Sequence, residues 1–76
     1  MSTVSRIIDI VADLFSVYDN SVDEETHLMY DLGADELDVA DLIITVEDDF
    51  DIKIPDSEAE TIETVGDLVK LVEAQL

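Results

Sequence analysis

Carboxylates dominate the side chains that could do chemistry, and one acidic stretch, from Asp31 to Asp38, reads DLGADELD. Paired carboxylates can act as general acids and bases, and clustered ones can bind hard cations. Here they are numerous and lack a neighbouring nucleophile or set of oxyanion donors. The acidic clusters at 47–51 and 56–60 also lack the Asp-x-Asp-x-Asp-Gly spacing of an EF-hand loop. We therefore predict no catalytic residue and no dedicated metal site, and only weak, adventitious cation binding.

His27 is the only histidine, and it has no partner in a His-Glu-x-x-His pattern. We expect it to be a surface or half-buried loop residue rather than a metal ligand.

The composition indicates one small folded domain over residues 1–76. The chain has 21 acidic and three basic residues, which gives a net charge of −18. This charge argues against nucleic acids and anionic membranes as partners and favours basic protein surfaces. Acidic disordered chains lack apolar residues, whereas 47% of this chain is hydrophobic. There are no cysteines, and no apolar run approaches the length of a membrane span or resembles a signal peptide. A monomeric cytoplasmic protein is the simplest expectation.

Apolar residues recur at steps of three and four in separate segments, which predicts helices rather than strands. The predicted helices are 3–17, capped by Ser2 or Thr3; 36–50, capped by Asp35 with Asp38 completing a capping box; 56–61, capped by Asp56; and a last one capped by Thr64. Residues 18–34 form a long loop, pinned by Val22, Leu28, Met29 and Leu32 and flanked by Tyr18 and Tyr30, which we expect to cover the end of the bundle. The predicted fold is all-α: a small four-helix bundle with three longer helices, one short helix and a long first loop.

Three acidic motifs in order resemble those of acyl carrier proteins, the phosphopantetheine-type carriers. They are DLGAD followed by Leu37-Asp38, EDDFDIKIPD at 47–56 and EAETIETV at 58–65. The resemblance implies a four-helix bundle that is not an enzyme and serves fatty-acid, lipid or related acyl-thioester biosynthesis. In such proteins a serine at the start of the second helix carries 4′-phosphopantetheine. The implied partners are phosphopantetheinyl transferase and basic surfaces of acyl-processing enzymes.

The resemblance also assigns a partner-binding surface to the second helix. Residues 37, 40, 41, 44, 47 and 48 share one helical face, which mixes apolar and acidic side chains as a transient interface does. The predicted partner-binding residues are Asp35, Glu36, Leu37, Asp38, Ala40, Asp41, Ile44, Glu47, Asp48 and Asp56.

Glu36, between Asp35 and Leu37, stands where the resemblance places the attachment serine. A glutamate has no hydroxyl to form the phosphodiester, and the other serines and threonines lack the Asp-Ser-Leu context. We therefore predict that this chain carries no 4′-phosphopantetheine and no acyl group. Natural divergence, an engineered replacement and an error in the sequence itself all remain open as origins of Glu36. An alternative function is an arm-less regulatory or scaffold protein that docks on basic partner enzymes.

Overall fold

The computed structural model describes residues 2–76 and shows a bundle of four α-helices, three of them longer and one short. The helices are α1 (Thr3–Phe15), α2 (Glu36–Phe50), α3 (Asp56–Ala59) and α4 (Val65–Glu73), with a 3₁₀ turn at Asp19–Ser21. The part of the chain that is described contains no strand, and its one isolated β-bridge joins His27 to Thr64. The predicted fold class is confirmed. No helix within these residues combines the length and the apolar character needed to cross a bilayer.

The first helix begins as the sequence predicts and ends two residues early. The Ser2 hydroxyl accepts a hydrogen bond from the Ser5 N–H at 3.0 Å, which identifies Ser2 as the cap. At the other end Ser16 adopts a left-handed conformation with φ 56°. This turn directs the Val17 N–H to the Ala12 carbonyl oxygen at 3.0 Å and so closes the helix. Val17 therefore lies outside α1, contrary to the prediction.

The short helix is also shorter than predicted, and Asp56 does not cap it. Pro55 is the N-cap, and its carbonyl oxygen accepts the N–H groups of Glu58 and Ala59 at 3.0 and 2.9 Å. Asp56 is the first residue inside the helix rather than the cap, and no side chain caps this helix. The helix ends at Ala59 since the Thr61 N–H bonds to Glu58, three residues back, which tightens the last turn.

The last helix has the cap that the sequence predicts. The Thr64 hydroxyl accepts the Asp67 N–H at 3.1 Å, and the Asp67 carboxylate accepts the N–H groups of Thr64 and Glu63, both at 3.0 Å. The backbone bonds from Thr64 and then Glu63 hold the pKa of Asp67 below its ordinary value of 3.8.

Residues of α1, α2 and α4, with anchors from the loops, form one apolar core. Its fully buried larger side chains are Ile7, Val11, Leu28, Leu42, Val46, Val65, Leu68 and Val72. Met29, which was predicted to pin the long loop, lies outside the core and is 53% exposed. Tyr18 and Tyr30 are 84% and 87% exposed, so the prediction that they cover the bundle's end is wrong. Tyr30 instead stacks outside the core on the His27 ring, with centroids 4.2 Å apart.

The long first loop is fastened to the start of α4 by three backbone hydrogen bonds, which we call the backbone ladder. The Leu28 N–H donates to Glu63, the Val65 N–H to Thr26 and the Gly66 N–H to Glu24, at 2.9, 3.0 and 2.8 Å. Thr26 and Leu28 are buried beneath it. The loop is therefore a fixed element of the fold, and it determines where residues 29–35 enter α2.

Candidate functional site

The start of α2 is closed by two carboxylates that bond to each other's backbone. An Asp35 carboxylate oxygen accepts the Asp38 N–H at 2.9 Å, and an Asp38 oxygen accepts the Asp35 N–H at 3.0 Å. The predicted capping box is thus present. Glu36 occupies the first helical position, where negative charge is favoured by the helix dipole, and it is exposed. The site therefore presents an exposed carboxylate at a helix start that is closed by a capping box.

Glu36 lies on the rim of a groove of about 670 Å³ between α2 and the segment 54–62. Ile43 and Ile54 are buried, and Val39, Ala59 and Ile62 are half-buried, so the groove has an apolar base. Five acidic residues also line it, whereas no lysine or arginine does. These acidic residues are Asp35, Glu36, Glu47, Asp56 and Glu60.

Glu47, predicted to contact partners, has a structural contact of its own. Its side chain is half-buried, and a carboxylate oxygen accepts the Ile54 N–H at 2.7 Å. Its backbone carbonyl also accepts the Ile52 N–H at 3.1 Å. Glu47 thereby ties the linker after α2 back to the helix and holds Ile54 in the groove wall.

The other predicted face of α2 is open to solvent. Leu37 and Ile44 are 76% and 56% exposed, and Ala40, Asp41 and Asp48 are exposed as well. We call these five residues the docking face. Ala40 and Ile44 also line the groove, whereas Leu37, Asp41 and Asp48 do not. Large exposed apolar side chains beside carboxylates are suited to a partner that offers both apolar and basic groups.

The groove has several wall residues that the sequence interpretation did not assign to a site. Met29 lines it, although the sequence predicts a packing role for this residue. The turn that places Met29 is held by His27, whose Nδ1 accepts the N–H groups of Met29 and Tyr30 at 3.2 and 3.1 Å. The Asp31 carboxylate in turn accepts the His27 N–H at 2.8 Å. An apolar Met-Tyr pair immediately before the DLGAD motif was the only signal in the sequence.

The basic residues do not offset the acidic rim. Arg6 pairs with Asp49 at 2.7 Å and covers the Phe50 ring at 4.0 Å, beside the end of α2 opposite to Glu36. Lys53 and Lys70 are exposed and do not line the groove. Across residues 2–76, no group of three His, Asp or Glu side chains is arranged to hold a metal ion.

Comparison with known proteins places these features in a family. Residues 5–72 match the family described as "Phosphopantetheine attachment site". A Mycobacterium tuberculosis protein assigned as an acyl carrier protein superposes with a TM-score of 0.91 at 31% sequence identity, over 99% of this chain and 100% of that one. The acyl carrier protein of Enterococcus faecalis superposes with a TM-score of 0.82 at 28% identity, over 97% and 94% of the two chains.

Proposed function

Because this chain belongs to the acyl carrier protein family, whose members have a phosphopantetheine attachment site, we propose that it is a carrier-type protein of fatty-acid or related acyl-thioester biosynthesis that lacks its arm. It acts by docking on acyl-processing enzymes through α2, and not by catalysis. A monomeric state and a cytoplasmic location are part of the proposal.

The observation that carries the proposal is the chemistry at Glu36. Attachment of 4′-phosphopantetheine needs an alcohol oxygen to attack a phosphorus of coenzyme A. The exposed first position of α2 offers a carboxylate there, and the neighbouring Asp35 and Asp38 are occupied with capping. The residues present therefore do not fit the covalent group, although the apolar groove beside them would suit an alkyl chain.

The docking face supports binding to basic enzymes. Exposed Leu37 and Ile44 supply apolar contact, and Asp41 and Asp48 supply charge on the same helix. The net charge of −18 extends this negative field over the whole molecule. Such a field accelerates association with positively charged partners and weakens as salt increases.

An arm-less regulatory or scaffold protein is the second candidate, and the capping box favours it. Each carboxylate of the box is already paired with a backbone N–H, so the box stabilises the start of α2 without any modification. A chain of this kind would occupy the carrier site of a partner enzyme and deliver nothing to it.

Intact-mass spectrometry of this chain and of Glu36→Ser, each incubated with coenzyme A and a broad-specificity phosphopantetheinyl transferase, tests the proposal. We expect the serine variant to gain one phosphopantetheine and this chain to gain none. The unchanged chain is the matched control, because it retains every other hydroxyl group. Modification of the unchanged chain would refute the proposal. If neither protein is modified, the docking surface has diverged from that of a carrier, and the regulatory function is preferred.

A further inference from the structure

We propose that His27 is a pH-sensitive switch: its neutral imidazole caps the turn that carries Met29 and Tyr30, and protonation of the ring releases that cap. The switch goes beyond the docking function and does not depend on it, because it is a property of this chain alone. Its consequence is a local rearrangement of the segment that leads into α2.

The switch depends on the acceptor role of one ring nitrogen. The His27 Nδ1 accepts the N–H groups of Met29 and Tyr30 at 3.2 and 3.1 Å. A neutral imidazole has one acceptor nitrogen and one N–H, so the ring proton must lie on Nε2. In an imidazolium both nitrogens are donors. A proton on Nδ1 would point at two N–H groups, and the ring must then turn away from them.

Protonation removes these two hydrogen bonds and leaves the loop attached to α4. The Leu28 N–H donates to the Glu63 carbonyl oxygen at 2.9 Å, and this backbone bond does not involve the imidazole. Leu28 is also buried in the core. The stack of the Tyr30 ring on the His27 ring, with centroids 4.2 Å apart, does depend on the position of the imidazole. The rearrangement is therefore confined to residues 29 and 30.

The released residues lie beside the start of α2. Met29 lines the groove on whose rim Glu36 lies, and the cap holds the Met29 backbone in place. Met29 and Tyr30 are 53% and 87% exposed, so both can move without opening the core. Protonation therefore frees Met29 from the groove wall and Tyr30 from the stack.

The residue type sets the pH range of the switch. Histidine is the side chain that ordinarily changes charge between about pH 5 and pH 8, and His27 is the only histidine of the chain. The side-chain caps of α1, α2 and α4 are hydroxyl and carboxylate groups, which do not ordinarily titrate in this range. His27 thus gives its turn a pH dependence that those helix starts lack.

The surroundings of His27 do not oppose a positive ring. Its own N–H donates to an Asp31 carboxylate oxygen at 2.8 Å, and its β-bridge to Thr64 brings the start of α4 beside it. Apart from the Tyr30 phenol, the ionisable groups of the adjoining segments 23–31 and 63–67 are all acidic: Asp23, Glu24, Glu25, Asp31, Glu63 and Asp67. These carboxylates would attract an imidazolium, whereas the two N–H groups at Nδ1 require the neutral ring.

A titration of this chain from about pH 8 to about pH 5 at fixed salt, followed by nuclear magnetic resonance, tests the proposal. We expect the amide resonances of Met29 and Tyr30 to shift with the same midpoint as the His27 ring. The protection of these two amides from hydrogen exchange should fall about fivefold across that midpoint, as the loss of one hydrogen bond each implies. The Leu28 and Val65 amides of the backbone ladder should keep their protection. Above the midpoint, the ring nitrogen shifts should show the proton on Nε2.

Two variants separate the cap from its charge. His27→Asn supplies a side-chain oxygen that can accept the same N–H groups and does not titrate, so it should keep the turn and abolish the pH response of Met29 and Tyr30. His27→Ala should lower the protection of both amides at every pH. Amide shifts that do not follow the ring, a neutral ring with its proton on Nδ1, or an unchanged pH response in His27→Asn would each overturn the proposal.

Discussion

Replacing Gly66 with alanine should destabilise the protein, although helix propensity alone predicts the reverse. Gly66 lies in the first turn of α4, where alanine is favoured by about 1 kcal/mol. A Cβ built on Gly66 would lie 2.9 Å from the Glu24 carbonyl oxygen and 3.4 Å from the Glu24 Cβ. The closer of the two atoms is backbone, so it cannot rotate aside. The substitution must therefore push the long loop away from α4.

The expected magnitude combines two penalties with the propensity gain. Overpacking of a fixed neighbour costs about 1–3 kcal/mol, and weakening the Gly66–Glu24 hydrogen bond of 2.8 Å costs about 1 kcal/mol. We expect a net loss of about 2 kcal/mol in the free energy of unfolding. Urea unfolding followed by circular dichroism at fixed salt measures it. Amide exchange at Leu28 and Val65, the other donors of the backbone ladder, should become faster.

Gly33 provides the matched control, since its glycine requirement has a different cause. Gly33 has φ +70°, and no atom lies within 4 Å of the point that a Cβ would occupy. Alanine there should cost about 1 kcal/mol through its backbone conformation, and asparagine should cost less because it tolerates that region. At Gly66 asparagine should be no better than alanine. A Gly66→Ala protein as stable as the original, or more stable, would refute the reasoning.

Three further predictions concern charge and capping. Asp67→Asn should lower the stability above pH 3.8, and the difference from the original protein should shrink as the pH falls, because the lowered pKa of Asp67 contributes stability that is lost as the pH falls through its folded-state value. Urea midpoints of both proteins between about pH 6 and pH 2 measure this difference. A difference that does not change with pH would contradict the prediction. Glu47→Ala should lower the free energy of unfolding by about 1 kcal/mol, because it leaves the Ile54 N–H without its acceptor, and Glu47→Gln should lower it less. Equal losses for the two variants in urea unfolding would show that this hydrogen bond is not the cause. Raising the NaCl concentration from about 10 mM to about 0.5 M should raise the midpoint of thermal unfolding, because salt screens the repulsion among 21 acidic residues. An unchanged or lower midpoint would contradict this prediction.

The second helix was predictable in full because its signals are local. Asp35 and Asp38 specify the capped start, and the apolar spacing continues to Phe50, so the predicted bounds agree with the structure. The start of α1 at Ser2 is local in the same way. The end of α1 was not predictable, because Ser16 adopts a left-handed conformation that is uncommon for serine.

The groove was only partly predictable, since it depends on contacts between segments distant in sequence. The family resemblance and the helical period identified Glu36, Ala40 and Ile44 as surface residues. Neither could show that Met29 reaches the groove across the loop turn, or that the Glu47 carboxylate is bonded to the linker. Tertiary packing decides such contacts, and no residue pattern along one helix contains that information.

The backbone ladder makes the attachment of the loop to α4 independent of side-chain type at its exposed positions. Its donors and acceptors are main-chain groups, so its hydrogen bonds exclude only proline at positions 28, 65 and 66 and exclude no residue type at positions 24, 26 and 63. Size restricts position 66, through its approach to residue 24, and it restricts positions 26, 28 and 65, because their side chains are buried. Substitutions at the exposed positions 24 and 63 should therefore leave the hydrogen bonds of the ladder in place, so that the loop keeps its attachment to α4.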